Sequence, residues 1–335
     1  MEEAAKTAPF GSILAPTMGQ AEFIGGQWSA PRWVPVAPIP IHPAAHVLHY
    51  ASECFEGFKA YRWHDGSVHV FRLDKHIARF RQSAQALRLP VPSAELLEQL
   101  VVELIAQVTA VVPKEPGSLY LRPFMFGTSP NIGAAGSPTK DAMVVVLASP
   151  VYDYFAGGLK PLTIYVEQEA TRCSSSMGMV KTGGNYAAAL GPTLYAKEQF
   201  GADQVLFAPH GEVQETGASN FLLIRDGHIL TKALDKSFLH GVTRDSLLTI
   251  ARDMGWQVTE RVVSVAETLE WIKTGEAALS GTAAVLAPVG TLVVDGQKLP
   301  VGNGQVGPMV TRLREALIAV YRGQTPDRHQ WLRAI

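Results

Sequence analysis

Cysteine is scarce in this chain of 335 residues: Cys54 and Cys173 are the only two, far apart and without CxxC spacing. That excludes a disulfide framework and a thiolate zinc site as organising features, and it suits a reducing compartment. An excess of charge of either sign is missing too. With 29 Lys and Arg against 30 Asp and Glu the formal net charge is -1, so no global field draws nucleic acid or an anionic membrane. Long apolar runs are also absent, since no window approaches the ~18 consecutive apolar residues of a spanning helix. The first residues, Met1 to Lys6, carry early acids and look like neither a secretory signal nor an Arg-rich transit peptide. The expectation is a soluble cytoplasmic protein with no nucleic-acid or membrane partner. A G-x-S-x-G elbow is lacking, so serine-hydrolase chemistry has no support.

What is present is enough apolar material, 47% against 18% charged, to bury one large core or two medium ones. Alternation over Phe58 to Arg62 and Val68 to Phe71, around Asp65-Gly66, predicts an antiparallel hairpin. Ile77, Phe80, Ala84 and Leu87 recur at helical spacing, and a second helix starts at Ser93 as N-cap and runs on through Leu97, Leu100 and Leu104. Strands are expected at Tyr120 to Met125 and Ala142 to Leu147. Pro, Gly and aromatics then interrupt the pattern from Ser149 to Gly158. The reading is a smaller N-terminal domain over 1–150, a linker over 151–162 and a larger domain over 163–335. Beyond the linker come a strand at Leu162 to Val166, a helix ending near Gly201, hairpins around Pro209-His210-Gly211 and Asp226-Gly227, and helices at Thr243 to Met254 and Pro308 to Tyr321. Without a regular βαβ rhythm, the class is α+β.

Four segments carry chemistry. Lys181 stands in Val180-Lys181-Thr182-Gly183-Gly184-Asn185-Tyr186, where small neighbours leave room for a bulky group beside an amine suited to Schiff-base chemistry; by itself it also reads as a lysine before a Gly-Gly turn. Glu215, just ahead of the apolar Asn220-Phe221 strand, could point inward at a protonated ring nitrogen, or be an ordinary turn residue. Gly241-Val242-Thr243-Arg244 opens a helix whose free amides suit a phosphate, as any helix start does. Ser280-Gly281-Thr282-Ala283 would let backbone amides approach an anion, and Arg79 on the polar side of its helix could add a fixed charge. Gly302-Asn303-Gly304-Gln305-Val306-Gly307 matches G-x-G-x-x-G, but no second strand is expected after it, so it reads as a turn before a helix. His42, His46 and His49 lie in an expected loop and strand, and no metal site is read there.

Taken in order, these segments resemble the branched-chain aminotransferases of the fold-type IV pyridoxal-phosphate enzymes, over nearly the whole chain. The resemblance rests on Leu48-His49-Tyr50-Ala51, Phe55-Glu56-Gly57-Phe58-Lys59-Ala60, the Arg79 helix, Tyr120-Leu121-Arg122, Lys181 to Tyr186, Glu215, Gly241 to Arg244 and Ser280 to Ala283. It implies a two-domain fold like that of D-amino acid aminotransferase, with mixed and antiparallel sheets and flanking helices. It implies pyridoxal 5'-phosphate as cofactor, Lys181 as the catalytic Schiff-base lysine, Glu215 at the pyridine nitrogen and Tyr186 at the phenolic oxygen. Arg79, the Val242 and Thr243 amides and Thr282 would then hold the phosphate. Tyr50, Tyr120, Arg122 and Tyr154 would line the substrate side, with Arg122 for the second carboxylate of glutamate and Thr282 and Ala283 for the α-carboxylate. The implied reaction is ping-pong transamination between branched-chain L-amino acids and 2-oxoglutarate, in a homodimer or higher homo-oligomer. One departure matters: animal relatives carry a CxxC pair where this chain has Ala284-Val285-Leu286-Ala287, so no thiol switch is expected. D-amino acid aminotransferases, R-selective amine transaminases and aminodeoxychorismate lyases share the lysine, glutamate and phosphate residues, and a non-catalytic binding protein on the same fold is a further alternative.

Overall fold

The structure, a computed structural model, describes residues 2–152 and 158–335. It divides into two compact units, Met1–Asp153 with Val180–Gly183 and Tyr321–Ile335, and Tyr154–Met179 with Gly184–Val320. Among the described residues no helix is long and apolar enough to cross a membrane.

The first unit is built on a sheet of nine strands among the described residues, every pair of them antiparallel. The expected hairpin forms, Phe58–Arg62 against Val68–Phe71, with Gly66 at φ 88° supplying the left-handed turn residue. Helices Leu73–Ala86 and Ala94–Gln107 bury one face each, Phe80 and Ala84 in the first and Leu97, Leu100, Val101 and Leu104 in the second. Each fully buried leucine contributes roughly 1.5–3 kcal/mol. Ser93 caps the second helix through its hydroxyl, which accepts from the Leu96 amide at 3.1 Å.

Three local expectations shift. The strand that starts at Ala142 runs on to Val151, through Pro150. The ladder of its other neighbour ends at Val146, so Pro150 lies where that side is no longer paired and a missing N–H is tolerated. His46–Tyr50 is a short helix, not loop and strand, closed by Ala51 in the left-handed region. A strand does follow the last helix: Leu332–Ala334 pairs antiparallel with Val68–Phe71, which still makes no βαβ unit.

The second unit has eight strands in a mixed sheet among the described residues. Gln204–Phe207 and Val285–Val294 both lie parallel to Leu162–Glu167, while Asn220–Arg225 pairs antiparallel with His228–Thr231 and Glu276–Gly281. Around Pro209 the expected hairpin shrinks to a tight turn, with amides of Phe207 and Gln214 bonded to Glu215 and Phe207 carbonyls. The core of this unit gathers Ile164, Leu206, Leu223, Leu230 and Leu292. The glycines of Gly302–Gly307 form a turn before helix Pro308–Tyr321. Glu276 accepts that helix's Met309 and Val310 amides at 3.0 and 2.7 Å, an acid at the positive end of the helix.

The segment Val180–Gly183 groups with the first unit because its backbone is tied there. Phe55 N–H donates to the Lys181 carbonyl and Lys181 N–H to Ser83 Oγ, each at 3.0 Å. The Thr182 hydroxyl and the Gly183 amide both donate to Glu53.

Candidate active site

In the first unit, two of the expected residues lie over one ring and a third is bonded to one of them. Lys181 Nζ lies 4.7 Å and the Arg122 guanidinium 4.8 Å from the centre of Phe55, distances at which the π face attracts a cation. Arg122 Nη2 donates to the Tyr120 hydroxyl at 2.9 Å. Register explains the grouping: Tyr120 and Arg122 alternate along strand Ser118–Gly127 and so point the same way, and Phe55 pairs with Phe124 two residues further on. Gly57 is required by close approach, since a Cβ there would lie 2.0 Å from the Tyr120 hydroxyl. Tyr50 ends its short helix with its hydroxyl donating to the Ile132 carbonyl. Tyr154 lies outside the described residues.

Arg79 is not on a solvated face. Its Nε donates to Glu56 Oε1 at 2.5 Å and its Nη2 to Oε2 at 2.9 Å, and Glu56 is wholly buried. His76 Nδ1 reaches Oε2 at 2.9 Å and the Gly57 amide does so at 3.1 Å. Burial by itself pushes the Glu56 carboxyl up, but Arg79 and then His76 outweigh it and hold the group well below the usual carboxylate range. Burial pushes His76 down against the pull of Glu56, so the ring is neutral near pH 7. Because a carboxylate only accepts, Nδ1 carries the ring's proton.

In the second unit Glu215, 2% exposed, accepts from Arg172 at 2.8 Å and the Leu239 amide at 2.8 Å on Oε1, and from Asn220 Nδ2 at 2.9 Å on Oε2. Asn220 also donates to the Leu239 carbonyl at 2.8 Å. Helix Val242–Asp253 begins at Gly241 with no side-chain cap, and a Cβ at Gly241 would sit 2.0 Å from Asn220 Oδ1. Asn220 is the ladder partner of Ser280, whose buried hydroxyl has no hydrogen-bond partner among the described residues. Thr282 and Ala283 form the tight turn after it, between strands paired at Gly281 and Val285. Tyr186 stands half-buried in the first turn of helix Gly183–Phe200.

The cluster in the second unit fits a phosphorylated ligand. A buried hydroxyl without a partner and an uncapped helix start are donors that a phosphate satisfies, and an oriented buried carboxylate suits a cationic ring nitrogen. Two parts escaped sequence reasoning. Glu56 was visible only as a letter in Phe55-Glu56-Gly57, and Arg172 sits in a turn-rich stretch without periodicity; each is paired with a residue distant in sequence.

The sequence profile of amino-transferase class IV matches residues 53–292. The chain is 41% identical over 320 residues to a probable branched-chain-amino-acid aminotransferase of Streptomyces coelicolor, covering 93% of this chain and 88% of that one. It is 39% identical over 338 residues to the branched-chain-amino-acid aminotransferase of Mycobacterium tuberculosis, covering 96% and 91%. Its fold is similar to that of a branched-chain amino acid aminotransferase crystallised with pyridoxamine 5'-phosphate, with a TM-score of 0.81 and 28% identity over 96% of this chain and 99% of the other. The Escherichia coli branched-chain amino acid aminotransferase is similar as well, with a TM-score of 0.70 and 27% identity over 94% of this chain and 98% of that one. A profile matched along most of the chain and relatives aligned over nearly all of it lead to one conclusion: the chain belongs to the class IV aminotransferases.

Proposed function

We propose that this chain moves the amino group of leucine, isoleucine and valine to 2-oxoglutarate, with pyridoxal 5'-phosphate as cofactor, yielding branched-chain 2-oxo acids and L-glutamate. The observation that carries the reading is the meeting of Lys181 and Arg122 over Phe55, with Tyr120 bonded to Arg122. It brings an amine, an apolar wall and a carboxylate-binding fork together. The names of the Streptomyces and Mycobacterium relatives support the branched-chain substrate class over the D-amino acid, amine and lyase alternatives.

When bound, the cofactor supplies an aldehyde for imine exchange and a ring that accepts electrons. Lys181 would hold the cofactor through Nζ, and the same nitrogen would take and return the proton at the substrate α-carbon. Glu215 would hold the pyridine nitrogen, its carboxylate oriented by Arg172, Asn220 and the Leu239 amide. Tyr186 would hold the phenolic oxygen, while Arg79, the Val242 and Thr243 amides and Thr282 would hold the phosphate. Thr282 and Ala283 bind the substrate α-carboxylate. Tyr50, Tyr120 and Tyr154 give aliphatic side chains an aromatic wall, and Arg122 at its edge takes the second carboxylate of glutamate, so one pocket serves both substrates. The order is ping-pong. A homodimer in the cytoplasm belongs to the same proposal, supported by the exposed Leu190, Leu194 and Tyr195 on one helix and by two free thiols.

Borohydride reduction followed by peptide mass spectrometry is expected to find the cofactor on Lys181, with L-leucine turned over faster than D-alanine. An adduct on another peptide overturns the assignment of Lys181, and faster D-alanine turnover overturns the substrate class.

A further inference from the structure

One short strand of the first unit meets Lys181 along its length. Strand Glu53–Phe55 pairs with Ser118–Gly127, and alternation sends Glu53 and Phe55 to one face and the wholly buried Cys54 to the other. The Phe55 amide donates to the Lys181 carbonyl at 3.0 Å, and the centre of the Phe55 ring lies 4.7 Å from Nζ. Glu53 takes the turn that follows: its Oε1 accepts from the Thr182 hydroxyl at 2.9 Å and from the Gly183 amide. From helix Leu73–Ala86, the buried Ser83 hydroxyl accepts from the Lys181 amide.

The turn is shaped for that carboxylate. A Cβ at Gly183 would lie 2.7 Å from Glu53 Oε1, so a side chain there would push the carboxylate off the amide. Gly183 opens helix Gly183–Phe200, where the amides carry partial positive charge and an acid is favoured. Lys181 therefore leaves the backbone between two held points, its own carbonyl on Phe55 and the next turn on Glu53. Without the carboxylate, Thr182 and Gly183 lose that acceptor and the peptide can rotate. A small rotation at the backbone moves the far end of a four-carbon side chain most, and misplacing a reacting group by about 1 Å can cost about 100-fold in rate.

We propose that Glu53 is a positioning residue for Lys181, fixing the direction in which its amine points. The inference rests on the reading of Lys181 as the lysine that condenses with the cofactor. It implies an effect confined to one cofactor form. The aldehyde form joins Lys181 Nζ with loss of water, whereas pyridoxamine 5'-phosphate, an amine itself, offers that nitrogen no carbonyl carbon. Contacts to the phosphate and the ring are common to both forms. A misplaced amine loosens the aldehyde form alone, and general damage to the site loosens both.

The test loads the full-length enzyme with each form in turn and follows release of the cofactor by absorbance during dialysis. In Glu53→Ala, the aldehyde form is expected to leave about tenfold faster than from the wild type, and the amine form at the wild-type rate. Thr182→Val keeps the shape of the side chain and removes one donor; about threefold faster release of the aldehyde form is expected. Glu53→Gln, which retains an acceptor oxygen for the turn, is expected to stay within about twofold of the wild type. Equal acceleration of both forms in Glu53→Ala, or wild-type release of the aldehyde form from Thr182→Val, overturns the proposal. Thr182→Val decides where Glu53→Ala fails to fold. Borohydride reduction of the wild type keeps the two readings apart: an adduct on Lys181 with release unmoved by the variants removes only the role of Glu53, and an adduct elsewhere removes the reading of Lys181 as well.

Discussion

Glu56→Gln puts the buried carboxylate of the first unit to a quantitative test. The wild-type group accepts four hydrogen bonds, two from Arg79, one from His76 and one from the Gly57 amide. Glutamine offers one acceptor oxygen and places an NH2 at the other position. Turned one way, the amide opposes three donors at the Oε2 position; turned the other way, it opposes Arg79 Nε. In either orientation Arg79, whose side chain is 10% exposed, keeps its charge and loses that of Glu56. Removing one partner of a buried pair costs about 3–5 kcal/mol. The lower end applies here because one orientation of the amide orphans a single donor, so a loss of about 3 kcal/mol is expected. Urea unfolding followed by circular dichroism reads it. The pH dependence supplies a second check. The native carboxyl is held below the usual glutamate value near 4.5, so its stabilisation is complete above that pH. It is lost as pH falls below it, by about 1.4 kcal/mol per unit. The gap between wild type and variant is therefore flat from neutral pH down to about pH 5 and narrows below. The double variant Glu56→Gln/Arg79→Met is expected to lose less than the sum of the two single changes. A single Glu56→Gln variant within about 0.5 kcal/mol of wild type, or a gap that widens in acid, refutes the reasoning.

Two further expectations concern the chemistry. Glu215→Gln should keep the cofactor bound but slow single-turnover deamination of leucine about 100-fold, ~2.7 kcal/mol of barrier; an unchanged rate means that the carboxylate does not face the ring nitrogen. Arg122→Ala should lower kcat/KM for glutamate about tenfold more than for leucine, since only glutamate brings a second carboxylate; equal losses contradict that role.

Local rules carried the sequence reading a long way. The Ser93 cap, the turn at Asp65-Gly66 and the buried faces of the two helices that follow it are written in neighbouring residues, where spacing and turn chemistry act directly. Pairings between distant segments were illegible for the opposite reason. Nothing in Leu162–Glu167 says that it will lie parallel to both Gln204–Phe207 and Val285–Val294, and the short terminal strand Leu332–Ala334 has too few residues to show alternation. The candidate site divides the same way. Its individual residues were visible through motif order, whereas the partners that orient them, Glu56 for Arg79 and Arg172 for Glu215, emerge only once the chain is folded.

The tie between Val180–Gly183 and the first unit bears on how this protein can be taken apart. A fragment that starts at residue 163 would carry Lys181 but leave behind Phe55, Ser83 and Glu53, the residues that hold its peptide in place. Gene fusions, split reporters or evolutionary shuffling that cut within 151–162 would therefore separate Lys181 from the residues that hold its peptide.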